Sequence, residues 1–373
     1  MESKLKPFLN IGPGQIIIRN LEALGWSQQD LAEVMNMAPN IINEIIQHKR
    51  RITVDIARKL AKAFDSSPEF WLSLEMKYRL NTEIDKKEIV KLAATEVKAK
   101  IRRHMPVADM AKLGWIKKSL SAEALENMYR QFWNTNTLDF SFYEKATTGF
   151  HARKSNNDAE YTKNYSITWL QMAHKRAEDF VQKTKKFDIK YLEQLGSSIH
   201  EFTLKENGIS EFIKALNDAG VQFFVLSHLQ KTYLDGAAFQ YKNKRFIVYT
   251  ARHNRADNFW FTMAHELAHH VKHIKNNEDC FLDNLDETAE NKIEKEADSL
   301  ASEWLKTKQI LKLAKPYENY LSEHRLNEIS QKVSVETSLV LGILQYHDMV
   351  DYRKLTKYKK PVKPLIPKEY IKG

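Results

Sequence analysis

The stretch from Phe259 to His270, FWFTMAHELAHH, constrains the fold of this chain more than any other. Its apolar background suits a helix, and it contains two histidines four residues apart, His265 and His269. On a 3.6-residue helix such a pair is separated by only about 40° of rotation, so both imidazoles can face one ion. Glu266 follows the first histidine and can act on a water at the metal without binding the metal itself. The pattern predicts a helix with a zinc site suited to hydrolysis.

A third ligand is expected from the helical pattern that resumes after residue 291. Glu294 and Asp298 are four residues apart and therefore share one face of this segment. We expect Glu294 to bind zinc and Asp298 to accept the second N–H of a ligating histidine. Glu296 is the alternative ligand, although two helical steps turn it about 160° away from Glu294. For each acid the simpler interpretation is a solvated carboxylate on a helix face.

The sequence leaves open which side chain would stabilise an oxyanion at this site. The candidates are Tyr249, Arg252, His324 and Tyr346. His270 and His273 could also approach the metal, although additional histidines on such a helix are more often surface or core residues.

Residues 1–80 have the periodicity and turn signals of a compact five-helix bundle. Gly25 ends a first helix, and Ser27 with Asp30 forms a capping-box-like start to a second. Pro39 follows a short turn at the start of a third helix. Helix, tight turn and helix are the parts of a helix-turn-helix. The apolar positions expected at helical spacing are Leu21, Leu24, Leu31, Val34, Ile42, Ile45, Ile46, Ile56, Leu60 and Phe64.

The third helix is expected to present a polar face to DNA. Amide and carboxylate side chains suit base edges, whereas neighbouring basic residues and a helix N-terminus suit phosphates. The predicted contacts are Gln28, Asn40, Asn43, Glu44, Gln47, Lys49, Arg50 and Arg51. Because every soluble helix has a polar face, the alternative is a bundle with no nucleic-acid role.

The remaining segments predict a mainly α (α+β) protein with one small sheet. Strand-like runs occupy Val221–Leu226, Gly236–Gln240 and Phe246–Thr250, and the last two form a hairpin. The predicted domains are a helix-turn-helix bundle (1–80), a helical connecting region (81–215), a zincin-like metallopeptidase core with a twisted sheet (216–313), and a helical segment with a basic tail (314–373).

Composition bears on partners and compartment. The net charge of +10 is compatible with nucleic-acid binding but modest for 373 residues. Cys280 is the only cysteine, so the chain cannot form an internal disulfide. No apolar run reaches the roughly 18–20 residues of a membrane span, and the N-terminus lacks the apolar core of a secretory signal. We expect a cytoplasmic protein with no membrane partner.

The N-terminal segment closely resembles the Xre-type helix-turn-helix of HigA-like antitoxins. The resemblance covers about residues 12–80 and rests on LGWSQQDLA (24–32), HKRRITV (48–54) and SPEFWLSL (67–74). It implies binding to operator double-stranded DNA as a homodimer, repression of the protein's own operon, and a cognate toxin as partner. Ala38 departs from the pattern, because the family more often has Ser or Thr capping the recognition helix.

Three later blocks resemble the ImmA/IrrE family of zinc metallopeptidases, over roughly residues 215–350. The blocks are DNFWFTMAHELAHH (257–270), FLD (281–283) and EKEADSLA (294–301). The resemblance implies that His265, His269 and Glu294 bind Zn²⁺ and that Glu266 is the general base. Ala268 stands where the family usually has glycine.

Three functions follow from these two resemblances. The first is a DNA-binding regulator or antitoxin whose zinc endopeptidase domain hydrolyses a protein, such as a repressor, a toxin partner or its own linker. The second is a non-enzymatic antitoxin or repressor in which zinc is structural or acts as a sensor. The third is a peptidase whose helix-turn-helix recruits a protein rather than DNA.

Overall fold

The structure, a computed structural model, describes residues 10–82, 86–118, 121–141, 150–152, 160–276, 279–283, 292–317 and 320–371. The chain divides into two compact units, Met1–Ala93 and Ala94–Gly373. The α-helices of the described residues are α1 Pro13–Leu24, α2 Gln28–Val34, α3 Pro39–Ile46, α4 Val54–Ala63, α5 Pro68–Asn81, α6 Lys86–His104, α7 Val107–Lys112, α8 Ala122–Trp133, α9 Glu160–Ala177, α10 Ile189–Ser197, α11 Ile199–Thr203, α12 Gly208–Asp218, α13 Ala256–Lys272, α14 Lys292–Trp304, α15 Thr307–Ala314, α16 Glu323–Val333 and α17 Thr337–Tyr346. The strands are β1 Phe150–Ala152, β2 Val221–Val225, β3 Gly236–Tyr241, β4 Lys244–Tyr249 and β5 Cys280–Asp283. Short 3₁₀ helices occupy Glu178–Lys183, Lys315–Tyr317, Thr356–Tyr358, Lys363–Leu365 and Lys368–Tyr370.

The predicted mainly α (α+β) fold class is confirmed, whereas the four predicted domain boundaries stay a prediction. No helix in the described ranges combines the length and the hydropathy that a membrane crossing requires.

The first unit is a five-helix bundle whose helix ends follow its sequence signals. Gly25 ends α1 with a φ of 67°, a left-handed conformation that glycine adopts without a steric penalty. Ser27 Oγ accepts a hydrogen bond from the Asp30 amide, and the Asp30 carboxylate accepts one from the Ser27 amide. Pro39 is the first residue of α3, and Ala38 before it provides no side-chain cap.

The core of this unit is formed by the inward faces of its helices, including Leu31, Ile42 and Trp71. Two predicted core positions are corrected by the structure. Leu24 is 49% exposed and Val34 is 54% exposed. Each is the last residue of its helix, so the chain turns away from the core at the point where periodicity would place the side chain inside.

Replacing Ser27 with alanine is expected to destabilise α2 by about 1 kcal/mol. The change removes the hydroxyl that accepts a hydrogen bond from the Asp30 amide and donates one to the Asp30 carboxylate. Hydrogen exchange of the α1–α5 amides in the full chain measures this change. Ser27→Thr keeps the hydroxyl and serves as the control. Unchanged protection in Ser27→Ala would contradict the cap's contribution.

The second unit is built on a five-stranded mixed sheet in the order β1-β5-β3-β4-β2. The predicted hairpin is present, since β3 and β4 pair antiparallel with Gly236 opposite Tyr249. Its loop is only Lys242 and Asn243, both with positive φ, a two-residue turn that matches the twist of the strands. β2 pairs parallel with β4, β5 pairs antiparallel with β3, and β1 pairs parallel with β5.

Two apolar clusters cover the two faces of this sheet. Side chains alternate along β4, so Ile247 and Tyr249 belong to one cluster and Phe246 and Val248 to the other. The first cluster contains the apolar residues of α13, and the second contains residues of α7, α8 and α9 such as Trp169. Helices α7, α8 and α9 of the connecting region therefore pack on the sheet face opposite α13, whereas residues of α10, α11 and α12 belong to the same cluster as α13.

Both ends of α13 are held by groups outside the helix. At its start, the amide of Ala256 donates to the carbonyl of Lys360 at 2.9 Å. At its end, the Arg245 guanidinium donates to the carbonyls of His270 and Ile274, at 3.1 and 2.9 Å. These contacts satisfy backbone groups that a helix terminus leaves without intrahelical partners, and they fix the helix that carries the histidine pair.

Candidate metal centre

Three side chains from two helices converge in the interior of the second unit. His265 and His269 lie one turn apart on α13, and Glu294 lies in the first turn of α14. The two Nε2 atoms are 2.8 Å apart, and Oε2 of Glu294 is 3.2 Å from the first and 3.5 Å from the second. All three side chains are at most 2% exposed. Together they form a group that could hold a metal ion.

The donor set fits a tetrahedral zinc ion. Ligand atoms about 2.0–2.1 Å from such an ion stand about 3.3 Å from one another, close to the observed 2.8–3.5 Å. Burial lowers the pKa of His269 to about 3, so this imidazole is neutral and its lone pair is available. Burial alone would raise the pKa of Glu294, but its contacts with the two histidines outweigh this effect and hold that pKa below its usual range. A buried carboxylate beside two imidazole lone pairs is an arrangement that a cation stabilises.

Each ligating histidine is linked to a carboxylate on the side away from the proposed metal. The link is direct for His265 and passes through a second histidine for His269. Nδ1 of His265 lies 2.9 Å from Oδ1 of Asp298, the residue expected in this place. Nδ1 of His269 instead lies 3.1 Å from Nδ1 of His273, whose Nε2 lies 3.3 Å from Oε2 of Glu296. If each ligating ring carries its proton on Nδ1 and donates it outward, Nε2 is unprotonated and its lone pair lies on the side of the third ligand, Glu294. Glu296 therefore contacts His273 and is not in the three-residue group.

The ring of His269 is also fixed from the side. Phe281 in β5 stacks on it, with ring centroids 4.3 Å apart and an interplanar angle of 15°. Sequence reasoning missed both this stacking and the chain from His269 through His273 to Glu296. The signal for the second was present, because His265, His269 and His273 repeat every four residues on one helix face.

Replacing His273 with alanine is expected to weaken zinc binding about 10–100-fold, because His269 loses the group that orients its ring. Competition with a chromophoric chelator, using the full chain, measures the affinity. His324→Ala removes an exposed histidine of α16 and is the matched control. Wild-type affinity in His273→Ala would show that this contact does not support the site.

Glu266 occupies a tight position between α13 and the sheet. It is fully buried, and β3 passes so close that a Cβ on Gly236 would stand 2.5 Å from its Oε1. Any larger residue at position 236 would displace this carboxylate. The absence of a side chain at Gly236 therefore makes room for the residue proposed as general base.

The other candidates raised by the sequence fall in different places. The Tyr249 hydroxyl is hydrogen-bonded to the carbonyl of His253 and to Asn258, both at 3.1 Å. Arg252 forms a bidentate salt bridge with buried Asp235. The Nε2 of His270 donates to the carbonyl of Phe246 at 2.9 Å, which directs its ring to the sheet. His324 is exposed on α16. Tyr346 lines a cavity that also includes His265.

The predicted DNA contacts lie on the exposed side of the first unit. Seven of them are exposed: Gln28, Asn40, Asn43, Gln47, Lys49, Arg50 and Arg51. Glu44 and Arg50 form a salt bridge of 2.7 Å in which the two side chains remain 39% and 47% exposed, respectively. The Gln47 amide donates to Asn43 at 3.0 Å. The Glu44–Arg50 and Asn43–Gln47 contacts therefore fix the positions of these side chains on the polar face of α3.

Fold and site define a protein that joins a helix-turn-helix unit to a sheet-and-helix unit with a His–His–Glu group. Residues 17–71 match a helix-turn-helix family, and residues 217–341 match the IrrE N-terminal-like domain of the M78 peptidases. An uncharacterised HTH-type transcriptional regulator of Haemophilus influenzae is 34% identical over 84 residues, 22% of this chain and 78% of that protein. The chain belongs to the helix-turn-helix transcriptional regulators, and it also carries an M78 peptidase domain. Both resemblances inferred from the sequence are confirmed at this level.

Other similar proteins match a short part of the chain. Virulence-associated protein A' of Dichelobacter nodosus is 41% identical over 70 residues, 18% of this chain and 61% of that protein. A crystal structure from Nostoc punctiforme, described as an antidote protein of a plasmid maintenance system, is 38% identical and covers 19% of this chain and 77% of that one, with a TM-score of 0.18. Matches of 84 and 70 residues are too short to include both domains.

Proposed function

We propose that this protein is a DNA-binding transcriptional regulator with a zinc-dependent endopeptidase in its second unit, acting in the cytoplasm. The observation that carries the peptidase proposal is the buried triangle of His265, His269 and Glu294, with donor atoms 2.8–3.5 Å apart. A zinc ion bound there would supply Lewis acidity toward a carbonyl and toward water. The two groups behind the imidazoles, Asp298 at His265 and His273 at His269, hold them in the orientation that binding requires.

Glu266 is the residue we assign to proton transfer. It follows a ligating histidine directly in the chain and is itself outside the three-residue group. A carboxylate held there takes a proton from water and delivers it to the leaving amine. Its burial against Gly236 keeps bulk water away from that proton.

The experiment that identifies the substrate compares new protein N-termini in cells that carry the wild-type chain or Glu266→Gln. A cleavage present only with the wild type supports the peptidase and names its target. The similarity of residues 12–80 to HigA-like antitoxins supports a regulatory protein, either a repressor or a cognate toxin, as that target. Identical N-terminal profiles in the two strains would count against proteolysis.

The complete burial of Glu266 favours one alternative function. In that alternative the metal centre is structural or a sensor, and the protein is a non-enzymatic antitoxin or repressor. Glu266→Gln would then preserve every cellular phenotype, whereas loss of a metal ligand would not. The two variants together separate the alternatives.

We further propose that α3 binds operator DNA and that the protein does so as a homodimer. The observation that supports DNA binding is the exposed polar face of α3 with Lys49 and Arg51 beside it. An apolar surface on α5, where Met76 is 56% and Leu80 is 71% exposed, supports self-association. Sedimentation of the full chain tests the dimer, and a purely monomeric species at micromolar concentration would refute it.

Replacing Lys49 and Arg51 together with alanine is expected to weaken binding to the DNA upstream of the protein's own gene. If each side chain neutralises one phosphate, the slope of log affinity against log salt falls by about 1 for each. Titrations at several salt concentrations measure the slope. Lys77→Ala removes an exposed charge on α5 and is the matched control. An unchanged slope would favour recruitment of a protein by this unit.

A further inference from the structure

The cavity beside His265 is a feature that proton transfer and metal binding do not use. It measures about 440 Å³ and is bounded by α13, α14 and α17, within the roughly 300–1,000 Å³ typical of ligand sites. Two residues of the metal centre, His265 and its partner Asp298, lie in its wall. The cavity therefore adjoins the candidate metal centre on the side of His265 and Asp298.

The walls of this cavity are largely aromatic and its volume depends on small residues. Phe261 and Tyr346 face each other with ring centroids 6.4 Å apart, and Tyr352 adds a third ring. Ser302 on α14 and Gly342 on α17 occupy positions where a larger side chain would extend into the space or into its walls. A Cβ on Gly342 would stand 2.4 Å from Oδ2 of Asp257, so the wall is closely packed at that point.

The two carboxylates in the wall each have a partner in the structure. Arg255 forms a salt bridge with Asp257, and Asp298 lies 2.9 Å from His265. Burial lowers the pKa of His347, which disfavours the charged form of this imidazole. A charged group entering the cavity would lose its hydration without gaining a matching charge, whereas a neutral apolar group would be stabilised by burial.

We propose that this cavity binds a large apolar side chain, aromatic in preference, of the polypeptide whose peptide bond is placed at the metal centre. The inference rests on the proposed peptidase function and adds a substrate class to it. Substrates are proteins in which an aromatic residue adjoins the cleaved bond. The position of His265 and Asp298 in the cavity wall supports this placement.

The test is the binding of two small probes to the full chain, measured by ligand-observed NMR. N-acetyl-L-phenylalaninamide is expected to bind at least about tenfold more tightly than N-acetylglycinamide, because only the first buries a benzyl group. Ser302→Leu fills the cavity and removes this preference. Ser299→Leu makes the same change at an exposed position of α14 outside the cavity and retains it. Equal binding of the two probes to the wild type, or an undiminished preference in Ser302→Leu, would overturn the proposal.

A second pair of variants guards against a folding defect in Ser302→Leu. Tyr346→Ala removes one aromatic wall at a position that is 51% exposed and is expected to weaken binding of the phenylalanine probe. Tyr320→Ala, at a position that is 87% exposed and outside the cavity, leaves it unchanged. Equal affinity of Tyr346→Ala and Tyr320→Ala for the phenylalanine probe would overturn the proposal.

The outcome for the cavity is independent of the outcome for the metal, because the two probes carry the same two amide groups and differ only in the benzyl group, so any contact with a metal is common to both. A chain that binds no zinc but discriminates between the probes would refute the peptidase and leave the aromatic site. A zinc-loaded chain that cleaves protein but binds the two probes equally would refute only the proposed aromatic site.

Discussion

Glutamine in place of Glu266 is expected to abolish proteolysis while zinc stays bound. The change keeps the shape that fits against Gly236 but removes the ability to accept a proton. Loss of a general acid–base group typically lowers turnover by about 10²–10⁴-fold. Because Glu266 is not one of the three clustered ligands, zinc affinity should be unaffected. Turnover of the protein substrate and zinc content of the same purified sample give the two readouts.

The control for this change is Glu303→Gln, which makes the same substitution at an exposed position of α14. It is expected to retain wild-type turnover and zinc. Turnover by Glu266→Gln at the wild-type rate would exclude Glu266 as the general base. Loss of zinc from Glu266→Gln would instead show that the residue supports the metal, and the assignment of separate roles would then be wrong.

Alanine in place of His269 is expected to weaken zinc binding by more than the about 10–100-fold associated with outer partners such as His273. The change removes one of three buried donors and also ends the stacking contact with Phe281. A zinc concentration one hundred times the dissociation constant stabilises a folded protein by about 2.7 kcal/mol. The wild type should therefore show a zinc-dependent rise in Tm that His269→Ala lacks.

His324→Ala is the matched control, because it removes a histidine from the exposed surface of the same unit. Its zinc-dependent rise in Tm should equal that of the wild type. An equal rise in His269→Ala would place the zinc elsewhere. Measurements without added metal separate this effect from the packing lost with the imidazole.

The main elements of the site could be predicted because they depend on spacing within single helices. His265 and His269 share a face of α13, and Glu294 and Asp298 share a face of α14, through the geometry of the helix alone. The same argument places Glu296 on another face, where it contacts His273. The starts of α2 and α3 follow from Ser27 and Pro39 for the same local reason.

Features that depend on distant parts of the chain could not be predicted in this way. β5 is four residues long, and its partners β3 and β1 are far from it in the chain. Its pattern is therefore too short to distinguish a strand from a loop. The cavity beside His265 exists only where α17 meets α13 and α14. The exposure of Leu24 and Val34 likewise depends on where the chain turns and not on helical periodicity.

Anomalous diffraction at the zinc edge, on a crystal of the full chain, tests the central claim most directly. We predict one strong peak within about 2.0–2.2 Å of Nε2 of His265, Nε2 of His269 and a carboxylate oxygen of Glu294. Zinc at full occupancy in any other position, or a crystal grown with zinc that shows no peak among these three side chains, would contradict it.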